Sequence, residues 1–255
     1  MIEIKHLTTG YGRHIVSRNI NERLERGELV CLLGANGIGK STLLRTLCGF
    51  LPPLEGEIII EGKNMKDTSP HKIGRLVGVV LTERIDVRQM KVKDIVAMGR
   101  NPYTGFWGSL NKEDLQQVEQ AMQQAGIDAL KERMIHTLSD GERQKTMIAK
   151  ALAQQTPVII LDEPTAFLDY TSKIETLRLL HRLAHETGKV IFMSTHDVEV
   201  ALQLSDRLWL MKKNGIQTGT PRELAENGCM AQFVECEGVH FNAKELTLKI
   251  EPTIR

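Results

Sequence analysis

Eight consecutive residues, Gly34-Ala35-Asn36-Gly37-Ile38-Gly39-Lys40-Ser41, set glycines around a lysine and a hydroxyl. The apolar stretch Leu29 to Leu33 precedes them, and Thr42, Leu43, Leu44 and Leu47 follow in a helical pattern. Strand, glycine loop and helix in that order make a phosphate cradle. The glycines let the backbone turn tightly and aim successive N–H groups at one point, and the helix N-terminus adds partial positive charge. Lys40 can reach β- and γ-phosphates, while the Ser41 hydroxyl can ligand Mg²⁺. The run from Gly34 through Ala35, Asn36, Gly37, Ile38, Gly39, Lys40 and Ser41 to Thr42 is therefore expected to contact a nucleoside triphosphate.

Three further clusters carry chemistry. Val158-Ile159-Ile160-Leu161-Asp162-Glu163-Pro164 is an apolar strand ending in two carboxylates. Beside a phosphate loop, Asp162 can sit on the Mg²⁺, and Glu163 can accept a proton from an attacking water. Alone, such a pair is only a polar strand exit; with the glycine loop it becomes the second element of a hydrolytic site. Ser194-Thr195-His196-Asp197 closes another apolar run, Val190 to Met193, and a histidine there can hydrogen-bond a γ-phosphate. Leu138-Ser139-Asp140-Gly141-Glu142-Arg143-Gln144 opens a helix, with Ser139 or Asp140 as N-cap and Met147, Ile148, Ala151 and Leu152 on its apolar side.

Positioning these groups requires alternating strands and helices. Strand-like runs lie at Ile2 to Leu7, Leu29 to Leu33, Glu57 to Glu61, Val77 to Leu81, Val158 to Leu161 and Val190 to Ser194. Helices are expected over Asn111 to Gly126, with Leu115, Val118 and Met122 on one face, and over Thr171 to Thr187 with Gly188 as terminator. Alternation of this kind predicts an α/β core with a mostly parallel sheet. Between about Ile85 and Thr156 the pattern is helical without a clear strand, as in an inserted helical unit. A short helix at Arg222 to Gly228 and some alternation at Glu245 to Ile250 follow.

Composition narrows the classes. The chain has 255 residues, 41% hydrophobic and 25% charged, as in a globular protein of one large or two small domains. A net charge of +1 and 4% aromatic residues give neither a field nor stacking platforms for nucleic acid. No apolar run approaches the roughly 18 residues of a membrane span, and the start lacks a signal-peptide pattern, so the cytoplasm is the expected compartment. Cys31 and Cys48 fall within apolar elements as small hydrophobes, and Cys229 and Cys236 show no close metal-ligand pairing. His181 and His185 stand at i, i+4 on a helix, a spacing that can hold a metal. With no third ligand visible nearby, they read as a solvated helix face.

Taken in order, these motifs resemble the ATP-binding-cassette ATPases, over nearly the whole chain. By that resemblance Gly34 to Ser41 is Walker A, Leu138 to Glu142 the signature usually written LSGGQ, and Val158 to Asp162 Walker B. Glu163 corresponds to the catalytic glutamate, Phe167-Leu168-Asp169 to the D-loop, and His196 to the switch histidine. Tyr11, in Thr9-Gly10-Tyr11-Gly12, corresponds to the aromatic that stacks on adenine. The resemblance implies a P-loop NTPase (RecA-like) α/β core with a mostly parallel sheet, an antiparallel β-subdomain and a helical subdomain inserted at about 85–156. The ATPase domain would span 1–228 and a C-terminal tail 229–255. It also implies ATP and Mg²⁺ as cofactors and a head-to-tail homodimer, with Ser139 and Gly141 of one copy completing the site of the other.

Departures are visible. Asp140 replaces the signature's usual glycine and Glu142 its frequent glutamine; a carboxylate at an anion site is unfavourable unless it points away. Alignment of Val77 to Glu83 places Thr82 where the family has the Q-loop glutamine. A threonine there can still coordinate Mg²⁺ through its hydroxyl, but its reach toward the helical insertion is shorter. The segment Lys91 to Gly105 resembles importer ATPases for iron complexes, which serve ferric siderophores, haem and vitamin B12. That branch implies separate integral membrane permease subunits, an extracytoplasmic binding protein and a place on the inner face of the cell membrane. Tyr103, Phe106 and Trp107 form a local aromatic cluster that either faces such a subunit or packs its own loop. The alternative is a soluble cassette ATPase, such as the iron–sulfur assembly ATPase; a phosphate-loop kinase or GTPase would need neither the signature nor the switch histidine.

Overall fold

The computed structural model describes residues 1–82, 89–105, 108–213, 215–236 and 238–251. Glu83, the start of the expected helical insertion, Phe106 and Trp107 lie outside the described residues. The strands are β1 (Ile2–Tyr11), β2 (His14–Leu24), β3 (Leu29–Gly34), β4 (Glu55–Ile60), β5 (Lys63–Asn64) and β6 (Val77–Val80). They continue as β7 (Val158–Leu161), β8 (Val190–Thr195), β9 (Arg207–Lys212), β10 (Gly215–Gly219), β11 (Val239–Asn242) and β12 (Thr247–Ile250). The helices are α1 (Lys40–Leu47), α2 (Pro70–Ile73), α3 (Val92–Ala97), α4 (Lys112–Gln124) and α5 (Asp140–Ala153). Four more follow: α6 (Tyr170–Thr187), α7 (Val198–Leu204), α8 (Pro221–Glu226) and α9 (Cys229–Val234).

Runs of apolar residues become the central sheet, ordered β10-β9-β3-β8-β7-β6. All neighbours are parallel except β10, which pairs antiparallel with β9. Both faces are covered, as a parallel sheet requires. Leu29, Cys31 and Leu33 of β3, with Ile159, Leu161, Ile191 and Met193, face one core built with residues of α3 to α7. Val30 and Leu32, with Val158, Ile160, Val190 and Phe192, face the other, shared with α1, β1 and β4. That alternation is the period of two expected of a strand. A second, antiparallel sheet, β2-β1-β4-β5, lies on this second side.

Register decides where the chemistry goes. Leu33 pairs with Thr195, and Leu161 pairs with both Met193 and Val80. The segments that leave the carboxyl ends of β3, β8 and β7 therefore emerge side by side, the usual ligand edge of a parallel α/β sheet. Helices α3, α4 and α5 pack together, and α5 also touches β6. The Arg100 guanidinium ties them: it donates to Asp114 Oδ1 at 2.9 Å, Ala153 O at 2.8 Å and Gln155 Oε1 at 3.0 Å. Tyr103 stacks between Arg75 and Arg100, 4.9 and 4.1 Å from its ring centre, so its face is spent on local packing.

Most predicted elements are present: Asn111 caps α4 through a reciprocal bond with Asp114, and α6 ends at Gly188 in the left-handed region, φ 62°. Strands β2, β5, β9, β10 and β11 were not anticipated. β2 is half exposed and carries register shifts against β1, which break a clean alternation. In β9, Leu208 to Met211 are all buried, and so short an apolar run carries no period that separates strand from helix.

Candidate active site

The glycine loop fits only glycine at its tightest point. Gly37 and Gly39 adopt φ of 75° and 114°. A Cβ on Gly39 would lie 2.0 Å from Val16 Cγ1, because β2 packs against the loop. Gly39 is the N-cap of α1 and offers no capping side chain. The first N–H groups of the helix, which have no intrahelical acceptor, are thus left for an anion. Lys40 is 6% exposed and its ammonium folds back onto the loop, donating to Gly34 O at 2.8 Å and Ala35 O at 3.2 Å. Ser41 is exposed on the first turn and Thr42 is buried beneath it.

The carboxylates meet this loop across the strand ends. Glu163 Oε1 lies 4.0 Å from Lys40 Nζ, and Glu163 Oε2 lies 3.8 Å from His196 Nδ1. A single carboxylate thereby stands between the loop lysine and the histidine that follows β8. Glu163 itself adopts φ 45°, a left-handed conformation that costs a non-glycine residue about 1–2 kcal/mol. What holds it is Ser194, fully buried in β8. The Ser194 hydroxyl accepts from Glu163 N at 2.9 Å and donates to Asp162 Oδ1 at 2.7 Å. Asp162 N also donates to Val80 O at 2.9 Å, which fixes the turn leaving β7. Ser41 and Asp162 offer hard oxygen donors, the ligand type that suits Mg²⁺.

Ser139 and Gly141 belong to a different element. They open α5, where a Cβ on Gly141 would meet Ser172 Oγ of α6 at 2.9 Å. Ser139 is the N-cap, accepting from Glu142 N at 3.2 Å while Glu142 Oε2 accepts from Ser139 N at 2.9 Å. Tyr11 closes β1 opposite His14 and is 46% exposed, on the same hairpin whose Val16 abuts Gly39. Thr82 donates from Oγ1 to Asp162 O at 2.6 Å. Beside it opens a pocket of about 420 Å³ lined by Arg45, Cys48, Phe50, Leu81, Thr82 and Asp162. Burial pushes the Cys48 thiol up to about 12, helped by the Asp162 charge, so it stays an inert apolar wall.

Residues 17–166 match the family model for the ABC transporter domain. The chain is an ATP-binding-cassette ATPase. It is 36% identical to the petrobactin import ATP-binding protein FpuC of Bacillus anthracis over 240 residues, 94% of this chain and 87% of that one. Its structure is similar to a metal-chelate type ABC transporter in an inward-facing conformation, with TM-score 0.78, 28% identity, and coverage of 91% and 87% of the two chains. The ATP-binding cassette MJ0796, solved as a dimer bound to ADP and Pi, gives TM-score 0.72 and 26% identity over 87% of this chain and 99% of that one.

Within this cassette the departures acquire physical reasons. Glu142 completes the reciprocal cap on Ser139 as a carboxylate and also faces Arg133 Nη1 at 3.3 Å. Asp140 lies 3.6 Å from Arg143 Nη1 and in the first turn of α5, where negative charge is favoured. The residue missed by sequence reasoning is Ser194. Its only signal was a hydroxyl near the end of an apolar strand, two residues before His196, and a buried polar side chain there demands partners.

Proposed function

We propose that this cassette hydrolyses ATP between two head-to-tail copies and powers uptake of an iron complex, a siderophore or haem, or of cobalamin through separate permease subunits. An extracytoplasmic binding protein would deliver the cargo. In this reading residues 1–228 are the ATPase domain, 85–156 its helical insertion and 229–255 a tail, with the dimer held at the inner face of the membrane by the permease. Among the described residues no helix is long and apolar enough to cross a membrane. Exposed Phe50 and Leu81 at the mouth of the Thr82 pocket favour a protein partner there.

One observation carries the split site: Lys40, Glu163 and His196 converge at the strand ends, whereas Ser139 and Gly141 lie on α5 against α6. A second copy would bring its own Ser139 and Gly141 onto the γ-phosphate. ATP would then join the two copies, and its hydrolysis would release them. Tyr11 stacks on the base; Gly34, Ala35, Asn36, Gly37, Ile38, Gly39 and Thr42 line the phosphates through the loop and first turn. Ser41 and Asp162 would hold Mg²⁺, which neutralises phosphate charge when bound. The Lys40 ammonium exchanges the Gly34 and Ala35 carbonyls for phosphate oxygens. Glu163 takes the proton of the attacking water, and His196 donates to the γ-phosphate as charge builds there.

The test is affinity purification of the tagged full chain from membranes of its own cells, with ferric siderophore, haem and cobalamin uptake measured in parallel. A polytopic membrane protein that stays bound, and uptake of one cargo lost in the Glu163→Gln strain, support the reading. Soluble partners alone, with all three uptakes intact, overturn it.

A further inference from the structure

The fold brings a carboxylate, which the sequence did not show, beside His181 and His185. Asp206, in the turn before β9, comes to 3.3 Å from His185 Nε2 through its Oδ1. The two imidazoles lie 4.3 Å apart between ring centres, and one ligand atom from each of the three residues falls within 4.8 Å of the others. The cluster lies where β3 begins at Leu29, and the phosphate loop leaves where β3 ends at Gly34. At about 3.3 Å per residue the two are separated by roughly 17 Å of strand.

The supporting contacts are already those of a ligand set. His185 Nδ1 is 2.8 Å from His181 O; a carbonyl only accepts, so Nδ1 carries the proton. In the neutral ring this leaves the Nε2 lone pair pointing at the Asp206 carboxylate. A main-chain carbonyl orienting the far ring nitrogen is the common second contact of a metal-bound histidine. Asp206 is fixed in the same way. Its Oδ2 accepts from Leu29 N at 2.7 Å and its N–H donates to Leu29 O at 2.9 Å, leaving Oδ1 for the histidine side. A lone pair facing a carboxylate oxygen at 3.3 Å is repulsive unless a cation lies between them. A proton satisfies one imidazole; a metal ion satisfies both and the carboxylate together.

We propose that His181, His185 and Asp206 form a binding site for a divalent transition-metal ion of the zinc class, with solvent in the fourth position. Two imidazole donors with one carboxylate select zinc-like ions over Mg²⁺ or Ca²⁺. A tetrahedral ion with bonds of about 2.0–2.2 Å needs donors roughly 3.4 Å apart, so the His185–Asp206 spacing is already met. Small rotations of the half-exposed histidines complete the set. The ion clips the last turns of α6 to the start of β9 and, through Leu29, to β3.

The experiment uses the full chain, tag removed and chelator-treated, titrated with Zn²⁺ alone by calorimetry. His181→Gln, His185→Gln, the double variant and Cys229→Ser/Cys236→Ser are titrated beside it. One equivalent is expected to bind the parent and the cysteine variant equally. Each histidine variant should lose at least about tenfold in affinity, and the double variant should bind none. Metal-free melting temperatures equal to that of the parent show that the variants are folded. Retention of binding in the double histidine variant, loss in the cysteine variant, or no Zn²⁺ uptake by the parent, as a site holding only a proton would give, overturns the proposal.

Discussion

Replacing Ser194 by alanine removes, among the described residues, the side chain that bonds both carboxylate residues of the site. The residue is fully buried; its hydroxyl accepts from Glu163 N at 2.9 Å and donates to Asp162 Oδ1 at 2.7 Å. A hydrogen bond to a charged group contributes about 1.5–3 kcal/mol and a neutral one about 1 kcal/mol. Water reaches the partly exposed Asp162 and replaces some of its share, so we expect about 2–3 kcal/mol of destabilisation. For a chain of this size that lowers the melting temperature by about 4–10 °C in scanning calorimetry. The kinetic effect follows from geometry. Freed of its acceptor, Glu163 relaxes from φ 45°, and its carboxylate leaves the place between Lys40 and His196. We expect kcat for ATP hydrolysis to fall about 10- to 100-fold, a loss of about 1.4–2.7 kcal/mol in the transition state. The KM for ATP should stay within about twofold, because Lys40 and the glycine loop keep their contacts. A folded Ser194→Ala enzyme with kcat within twofold of the parent would refute the positioning role.

Gly39→Ala places a Cβ 2.0 Å from Val16 Cγ1 on a backbone at φ 114°. Strain of about 1–3 kcal/mol should cut ATP affinity about 5- to 150-fold by calorimetry, with partial recovery when Val16→Ala is added; unchanged affinity would contradict the packing. A third expectation concerns acid. Hydrogen bonds from Arg26, then from the amino terminus, hold the Glu61 carboxyl down at about 2 instead of 4.5. Because the folded value is depressed, the stabilisation is fully present above pH 4.5 and is lost as pH falls toward 2. The melting-temperature gap between the parent and Glu61→Gln should therefore be constant near neutrality and close across that window. A gap independent of pH would exclude the ionised carboxylate as its source.

The phosphate loop, Asp162, Glu163 and His196 were legible because each directly follows an apolar strand, and parallel pairing carries strand ends to one edge. Tyr11, Ser139 and Gly141 were legible as motifs, but local spacing says nothing of the distance between Ser139 and Lys40 in space. Ser194 was opaque: the sequence shows a serine in a strand, and only the register of β7 with β8 reveals that it meets Asp162 and Glu163. The same holds for Asp206, 21 positions beyond His185, which reaches the histidine because β9 joins β3. Thr82 was recognised as a departure, yet its bond to the Asp162 carbonyl depends on the neighbouring ends of β6 and β7.

The central claim is that ATP is enclosed by two copies of this chain and that Glu163 is the group that lets them part. Glu163→Gln keeps the side-chain volume but removes the charge lying 4.0 Å from Lys40 and 3.8 Å from His196. Size-exclusion chromatography with light scattering, on this variant with ATP and Mg²⁺ and again without nucleotide, tests the claim most directly. The account predicts a dimer with ATP retained in it and a monomer when nucleotide is left out. A monomer at saturating ATP would contradict it.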